Sequence, residues 1–311
     1  MRTLVTGAAG FIGSHLCRRL VADGHEVIGL DDLSDGKLEN LASVPEVRFV
    51  EGDLRDERAV LDAARGCQVI YHQGAMRSVP RSIIEPEKTT DVNVRGTLNV
   101  LLAAREEPAT VVFASSSSVY GDRETFPLQE SMTPLPRSPY AASKLAGEGY
   151  CRSWWSSFGV PTVALRYFNV YGPGQDPANA YAAVIPLFAI ACLSERRPEI
   201  HGDGEQSRDF TYIDDVVEAN LLAGRAPDPA RGTVLNIGGG QVPTSINEVL
   251  SIVARLTETR PEPVHTDTRA GDVRKTEADV SLAKELIGYD PAFDIEQGLA
   301  RTVEWFRSRL A

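Results

Sequence analysis

The chain has 311 residues, with 32 Lys+Arg against 43 Asp+Glu, a formal net charge of −11 at pH 7; 42% is hydrophobic and 24% charged. That is globular composition, long enough for one large domain or two modest ones. The acidic balance argues against coating nucleic acid or an anionic membrane surface, so any anionic ligand has to be met by a local site.

Taken in chain order, short apolar runs alternate with helical patterns. Residues 3–6 read as a buried strand, and 11–21 carry Phe11, Ile12, Leu16, Leu20 and Val21 on one helical stripe. Strands follow at 26–30, 47–50 and 68–71, with a helix at 56–65 between the last two. A long helix is expected over 91–105, a strand at 110–114, a helix at 139–158 and a strand at 161–165. This alternation predicts an α/β fold with a doubly wound parallel sheet, covered on both faces. After Tyr171 the texture changes to loop chemistry (GPGQDP), then to less regular segments and a final amphipathic helix at 295–310. The expected division is a nucleotide-binding Rossmann domain over 1–170 and a smaller α/β substrate-binding domain over 171–311. The two are expected to interleave, part of 210–240 packing back on the first.

Four cysteines (Cys17, Cys67, Cys151, Cys192) lie far apart, and the five histidines show no i, i+4 pair. Neither a disulfide framework nor a metal site is expected. The first residues lack the basic and apolar regions of a secretory signal, and no apolar stretch reaches the ~18 residues of a membrane span. The longest, 182–193, contains Pro186. The expectation is a cytoplasmic, reduced protein without a membrane or nucleic-acid partner.

The first strand runs into Gly7-Ala8-Ala9-Gly10-Phe11-Ile12-Gly13. Gly7 permits a tight turn, Gly10 lets backbone approach a pyrophosphate, and Gly13 lets helix and strand pack closely. The helix N-terminus, at Phe11 and Ile12, then faces the anion with free N–H groups. Asp31, ending the second strand, is placed to accept hydrogen bonds from a ribose and to repel a 2′-phosphate, so the expected cofactor is NAD. Lys37, the one nearby cation, weakens that preference slightly. Asp53 either holds the adenine amino group or is a plain loop acid. Tyr140 and Lys144 stand four apart on one helix face, where a lysine and a bound nicotinium favour the phenolate of a proton-transferring tyrosine. The fifth strand ends in Ser115-Ser116-Ser117-Ser118-Val119-Tyr120-Gly121. A hydroxyl at that edge can bridge substrate and tyrosine, though spacing does not choose among the four serines.

These motifs, with Leu165-Arg166-Tyr167-Phe168-Asn169-Val170-Tyr171-Gly172-Pro173 and Arg269-Ala270-Gly271-Asp272, resemble the extended short-chain dehydrogenase/reductases. Within them the chain is similar to the nucleotide-sugar 4-epimerases of the UDP-glucose and UDP-N-acetylglucosamine branch, over essentially its whole length. The resemblance implies Ser116 as the catalytic hydroxyl beside Tyr140 and Lys144, with Ser78 and Ser117 near the sugar. It implies Asn169, Arg208 and Arg269 on the diphosphate and Asp272 on the uridine ribose. It places the stretch from Ala183 and Val184 on the uracil, and Asn93, Asp53 and Leu54 at the cofactor cleft. Planar guanidinium groups suit a diphosphate better than ammonium groups do. Thr276 corresponds to a gatekeeper whose small side chain leaves room for an N-acetyl group. A homodimer is implied through the helices of 91–105 and 139–158, although Leu98, Leu101, Leu102, Trp154 and Trp155 suit a core equally.

The implied activity is reversible C4 epimerisation of a UDP-hexose through a 4-keto sugar, leaning to dual or N-acetylated substrates. A 4,6-dehydratase or a decarboxylase calls for acids where Ser117 and Ser118 stand. The UDP-glucuronate 4-epimerases, which this chain also resembles, tend to have an arginine where Asp176 stands and a threonine where Asn169 stands; an acid at 176 would repel the uronate, yet Arg77 and Arg81 lie nearby. A nonenzymatic NAD-binding sensor is a further alternative, disfavoured by the retained Ser116, Tyr140 and Lys144.

Overall fold

The computed structural model describes residues 1–177, 183–268 and 273–310. The first six strands are β1 (Arg2–Thr6), β2 (Glu26–Asp31), β3 (Arg48–Glu51), β4 (Val69–His72), β5 (Thr110–Ser116) and β6 (Thr162–Tyr167). Short strands β7 (Val170–Tyr171), β8 (Glu199–His201), β9 (Ser207–Arg208) and β10 (Thr211–Tyr212) precede β11 (Thr233–Ile237); β12 (Thr244–Ser245) and β13 (Val264–Thr266) follow. The central sheet has seven strands in the order β11-β6-β5-β4-β1-β2-β3. All its pairings are parallel, the arrangement expected from strand–helix alternation.

Successive strand residues point to opposite faces, and both faces are apolar. Leu4, Ile28, Ile70, Val111 and Ala164 meet α2 (Glu57–Ala64), α5 (Gly96–Glu106) and α6 (Pro139–Phe158). The alternate residues Val5, Val27, Val112, Val163 and Leu165 meet α1 (Phe11–Ala22) and α8 (Ile213–Gly224). That second core continues through Phe188 of α7 (Val184–Leu193), Val249 of α9 (Ile246–Thr257) and Val303 of α11 (Ile295–Leu310). The shorter helices are α3 (Val79–Ile84), α4 (Pro86–Thr90) and α10 (Ser281–Ile287).

Two differences from the sequence expectation have physical reasons. β5 runs two residues past Ala114, because Ser115 and Ser116 keep pairing with Arg166 and Tyr167 of β6. The helix expected from residue 91 starts at Pro86, where proline suits the first position, and widens to a π-type turn over Asp91–Arg95. In α7, Pro186 falls in the first turn, where its missing N–H is not needed. Leu101 is fully buried, and the Trp154 indole donates to its carbonyl at 3.1 Å, so these two belong to the core. Among the described residues no helix is long and apolar enough to cross a membrane.

Candidate active site

Crossovers from β1 and β4 leave toward opposite edges of the sheet, which opens a crevice at their C-terminal ends. A cleft of 570 Å³ occupies it, lined by Gly7, Gly10, Phe11, Ile12, Gly13, Asp31, Asp53, Leu54, Tyr140 and Lys144, among others. Gly7 has φ +68°, and a Cβ there would lie 2.7 Å from the Gly74 backbone. A Cβ on Gly13 would lie 2.0 Å from the Gly7 carbonyl oxygen. Helix α1 is capped by Gly10 without a side-chain bond and has no acid in its first turn, so its N-terminal dipole stays available to an anion. Asp31 is buried; its Oδ2 accepts from Ala9 N (2.9 Å) and its Oδ1 from Leu33 N (2.8 Å). Carboxylate oxygens have lone pairs to spare beyond these, as ribose hydroxyls require. The glycine turn, open helix end and acid at the end of β2 fit a dinucleotide.

Other expected cofactor-side residues are differently placed. Asp53 is held by Arg55, whose Nη2 is 2.6 Å away and whose N–H also donates to it. Leu54 packs its side chain against Gly74 and Gly96. Asn93, expected to line the cleft, stands behind its wall: it accepts from Met76 N (2.7 Å) and donates to Met76 O (3.1 Å) and Ser143 Oγ (2.9 Å). The π-type turn carries it inward, where it ties the β4 loop to α6. Lys37 is not the one cation near Asp31. It pairs with Asp176 at 2.9 Å, and Arg81 reaches Asp35 at 3.0 Å.

Helix α6 begins at an N-cap, Ser138, whose Oγ accepts from Ala141 N, with Pro139 at its first position; Gly159 ends it in left-handed conformation. Tyr140 and Lys144 face the end of β5. Burial raises the Tyr140 phenol above its ordinary value, opposed by a hydrogen bond with Ser116 and by the charge of Arg77. Lys144 is pulled down to about 8 by burial. Its ammonium donates to Ala114 O at 2.8 Å and lies 5.9 Å from the Tyr140 ring centroid, so it acts on the phenol through space. Ser116 Oγ also donates to Ser118 Oγ (3.0 Å), while Ser117 opens the short 3₁₀ turn Ser117–Tyr120. One turn beyond Lys144, buried Glu148 receives Arg166 Nε (2.8 Å) and Nη2 (2.7 Å) and the Ser115 hydroxyl (2.5 Å). This clamp fixes the helix carrying Tyr140 to the ends of β5 and β6.

A second group gathers across the chain. Asn169, at φ +28°, donates to Asp209 O and Thr276 Oγ1, both at 2.9 Å. Thr276 Oγ1 also accepts from Asp209 N (3.1 Å), so this hydroxyl pins two loops rather than facing solvent. The Asp209 carboxylate accepts from Gly239 N (2.6 Å) and Ala278 N (2.9 Å); burial outweighs those bonds and raises its carboxyl to about 6. Arg208 is buried beside them, with Nη1 donating to Ser207 O at 2.9 Å. Ser78 caps α3 by accepting from Arg81 N, and Ala183 and Val184 open α7, the first exposed and the second half-buried. Arg269 and Asp272 lie outside the described residues. The sequence reading did not single out Asn40, Met76, Lys88, Tyr167 and Trp305 as cleft-lining. Tyr167 had a signal, since it ends β6 as Ser116 ends β5; Trp305 comes from the last helix and had none.

A doubly wound sheet with an open glycine turn and a Tyr/Lys pair at its edge defines an extended short-chain dehydrogenase/reductase. The model for the NAD dependent epimerase/dehydratase family matches residues 3–238. The chain is 42% identical to a UDP-glucose 4-epimerase of Mycolicibacterium smegmatis, over 99% of each protein. It superposes with TM-score 0.95 on a UDP-glucose 4-epimerase from Thermotoga maritima solved with UDP-glucose, at 38% identity over 100% of both chains. A UDP-N-acetylglucosamine 4-epimerase from Methanobrevibacter ruminantium M1 gives TM-score 0.94 at 38% identity, over 99% of this chain and 98% of that one. The chain belongs to the NAD-dependent epimerase/dehydratase family.

Proposed function

We propose that the protein inverts C4 of a UDP-hexose reversibly, through a transient 4-keto sugar, with NAD as resident cofactor. The observation that carries this is the convergence of Ser116, Tyr140 and Lys144 at the end of β5, beside a cleft built for a dinucleotide. Gly7, Gly10 and the first N–H groups of α1 hold the pyrophosphate, and Asp31 the adenosine ribose. When bound, NAD supplies a reversible hydride acceptor.

The chain itself handles the proton. Tyr140 takes it from the 4-hydroxyl and returns it after the sugar has presented its other face. Ser116 bridges the phenol and the sugar oxygen, and Lys144 supplies positive charge at neutral pH, losing it as pH rises through about 8. Asn169, Arg208 and Arg269 hold the diphosphate end, Asp272 the uridine ribose and the start of α7 the base. In this reading 1–170 carries the cofactor and 171–311 the substrate, and the protein is a cytoplasmic homodimer. Hydroxyls rather than acids at Ser117 and Ser118 disfavour elimination across C5–C6. The small side chain at Thr276 supports acceptance of N-acetylated sugars.

The test is incubation with UDP-glucose, UDP-GlcNAc and UDP-glucuronate, followed by separation of products. UDP-galactose and UDP-GalNAc are the expected products. Unchanged UDP-sugars in every arm, from protein that retains NAD, would remove the assignment.

A further inference from the structure

The cations lining the cleft divide sharply. Lys37 lies 2.9 Å from Asp176, Arg55 2.6 Å from Asp53, Arg81 3.0 Å from Asp35 and Lys88 3.8 Å from Glu85. Lys144 is spent on Ala114 O and on its service to Tyr140. Arg77 lines the same cleft, and among the described residues no carboxylate pairs with it. Its side chain is exposed on the cleft wall, so its charge is open to a ligand.

The backbone on either side of Arg77 is held. Met76, just before it, is bound twice to Asn93, through its N–H and its carbonyl. Asn93 also donates to Ser143 Oγ, which donates in turn to the Tyr140 carbonyl at 2.7 Å. On the other side Ser78 caps α3. The backbone that carries Arg77 is therefore tethered to the turn that carries Tyr140, and the guanidinium charge reaches the phenol and lowers its pKa. An ammonium-like point charge elsewhere on the rim has no such tether. Asp176, the acid expected to repel an anionic sugar, has its charge offset by Lys37.

We propose that Arg77 reads an anion on the substrate: it takes an anionic oxygen of the nucleotide sugar, from the diphosphate or from a carboxylate on the hexose, next to Tyr140. This rests on the nucleotide-sugar reading above. The planar fork suits either group, since both offer two oxygens to parallel N–H donors.

The experiment uses the holoenzyme with Arg77→Met and Arg77→Lys. Bound NAD is quantified, affinity for UDP, UDP-glucose and UDP-glucuronate is measured by calorimetry, and kcat/KM is taken for UDP-glucose, UDP-GlcNAc and UDP-glucuronate. Removing a charge-assisted contact predicts a ~10–100-fold loss in Arg77→Met, only partly restored in Arg77→Lys, whose point charge lacks the planar fork. Equal loss for every sugar, with weaker UDP binding, supports the diphosphate as the source. Loss confined to UDP-glucuronate, with UDP binding intact, supports the carboxylate. Unchanged affinities and rates overturn the proposal, and so does loss of bound NAD from Arg77→Met, which assigns the charge to the cofactor. If the wild-type protein turns over none of the sugars, the epimerase reading falls, and the three affinities still decide the role of Arg77.

Discussion

Two regions of the molecule are built by different means. On the β1–α1 side the working surface is a turn of seven contiguous residues in which two glycines admit no side chain: a Cβ on Gly7 would meet the Gly74 backbone, and one on Gly13 the Gly7 oxygen. At Asn169 and Thr276, away from the residues that line the cleft, stands a knot of side chains from three distant segments. Asn169, Asp209 and Thr276 bond one another, while the Asp209 carboxylate gathers the backbone at Gly239 and Ala278. The first side suits a ligand common to a whole family, because backbone N–H groups are the same whatever the sequence. The second can change with one side chain, which suits the part of a ligand that differs among relatives. Tyr140 lines the cleft from α6, which the Glu148–Arg166–Ser115 clamp holds.

The contrast can be broken or sharpened by mutation. The largest effect is expected at the catalytic helix. Tyr140→Phe should lower turnover by ~10³-fold or more while leaving melting temperature and bound NAD unchanged; undiminished turnover in a coupled assay would refute the assignment of the phenol. Next comes the backbone side. Gly13→Ala should cost ~3 kcal/mol, through a clash with backbone that has no alternative rotamer, and should shed NAD. Thermal unfolding and cofactor content check it, and wild-type values for both would mean that the turn is not a tight cradle.

The side-chain knot should respond less and with pH. Asp209→Asn sets an amide NH₂ against one of two N–H donors and should cost ~2 kcal/mol, seen as a lower melting temperature at pH 7. The Asp209 carboxyl is raised to about 6, above its unfolded value. Its contribution to stability is therefore full below ~3.9 and is lost as pH rises through about 6. The wild-type advantage over Asp209→Asn should accordingly grow as pH falls from 7 toward 4, and a pH-independent difference would show that this carboxyl titrates normally. The smallest effect belongs to the rim. Lys37 is half exposed in its pair with Asp176, so Lys37→Ala should shift stability by no more than ~0.5 kcal/mol. A larger loss by chemical denaturation would mean that this pair supports the cleft.

Much of this was legible in the sequence, for reasons particular to each element. The α6 boundaries, 139–158, follow from Ser-Pro at one end and Gly at the other, local chemistry that acts within a turn. The glycine turn and the Tyr140–Lys144 spacing are likewise local, and each states its geometry in consecutive letters. Ser116 was distinguished from its neighbours only by family resemblance, because all four serines have the same chemistry. In the structure its bond with Tyr140 sets it apart. Asn93 was read as lining the cleft, because nothing in its neighbourhood signals the π-type turn that rotates it inward to Met76 and Ser143.

What the sequence determined by itself is the alternation of strands and helices, and with it the parallel sheet, the glycine turn and the catalytic helix. Those rest on periodicity and capping, which act over a few residues. Only the tertiary structure decided which charges are paired and which side chains meet. Lys37 finds Asp176, Asp209 finds Gly239 and Ala278, and Trp305 arrives in the cleft from the last helix. Partners so far apart in the chain leave no local pattern, since their meeting is set by how helices pack across the sheet. The same packing leaves Arg77 on the cleft wall without a carboxylate partner among the described residues, while Lys37, Arg55 and Arg81 each meet one.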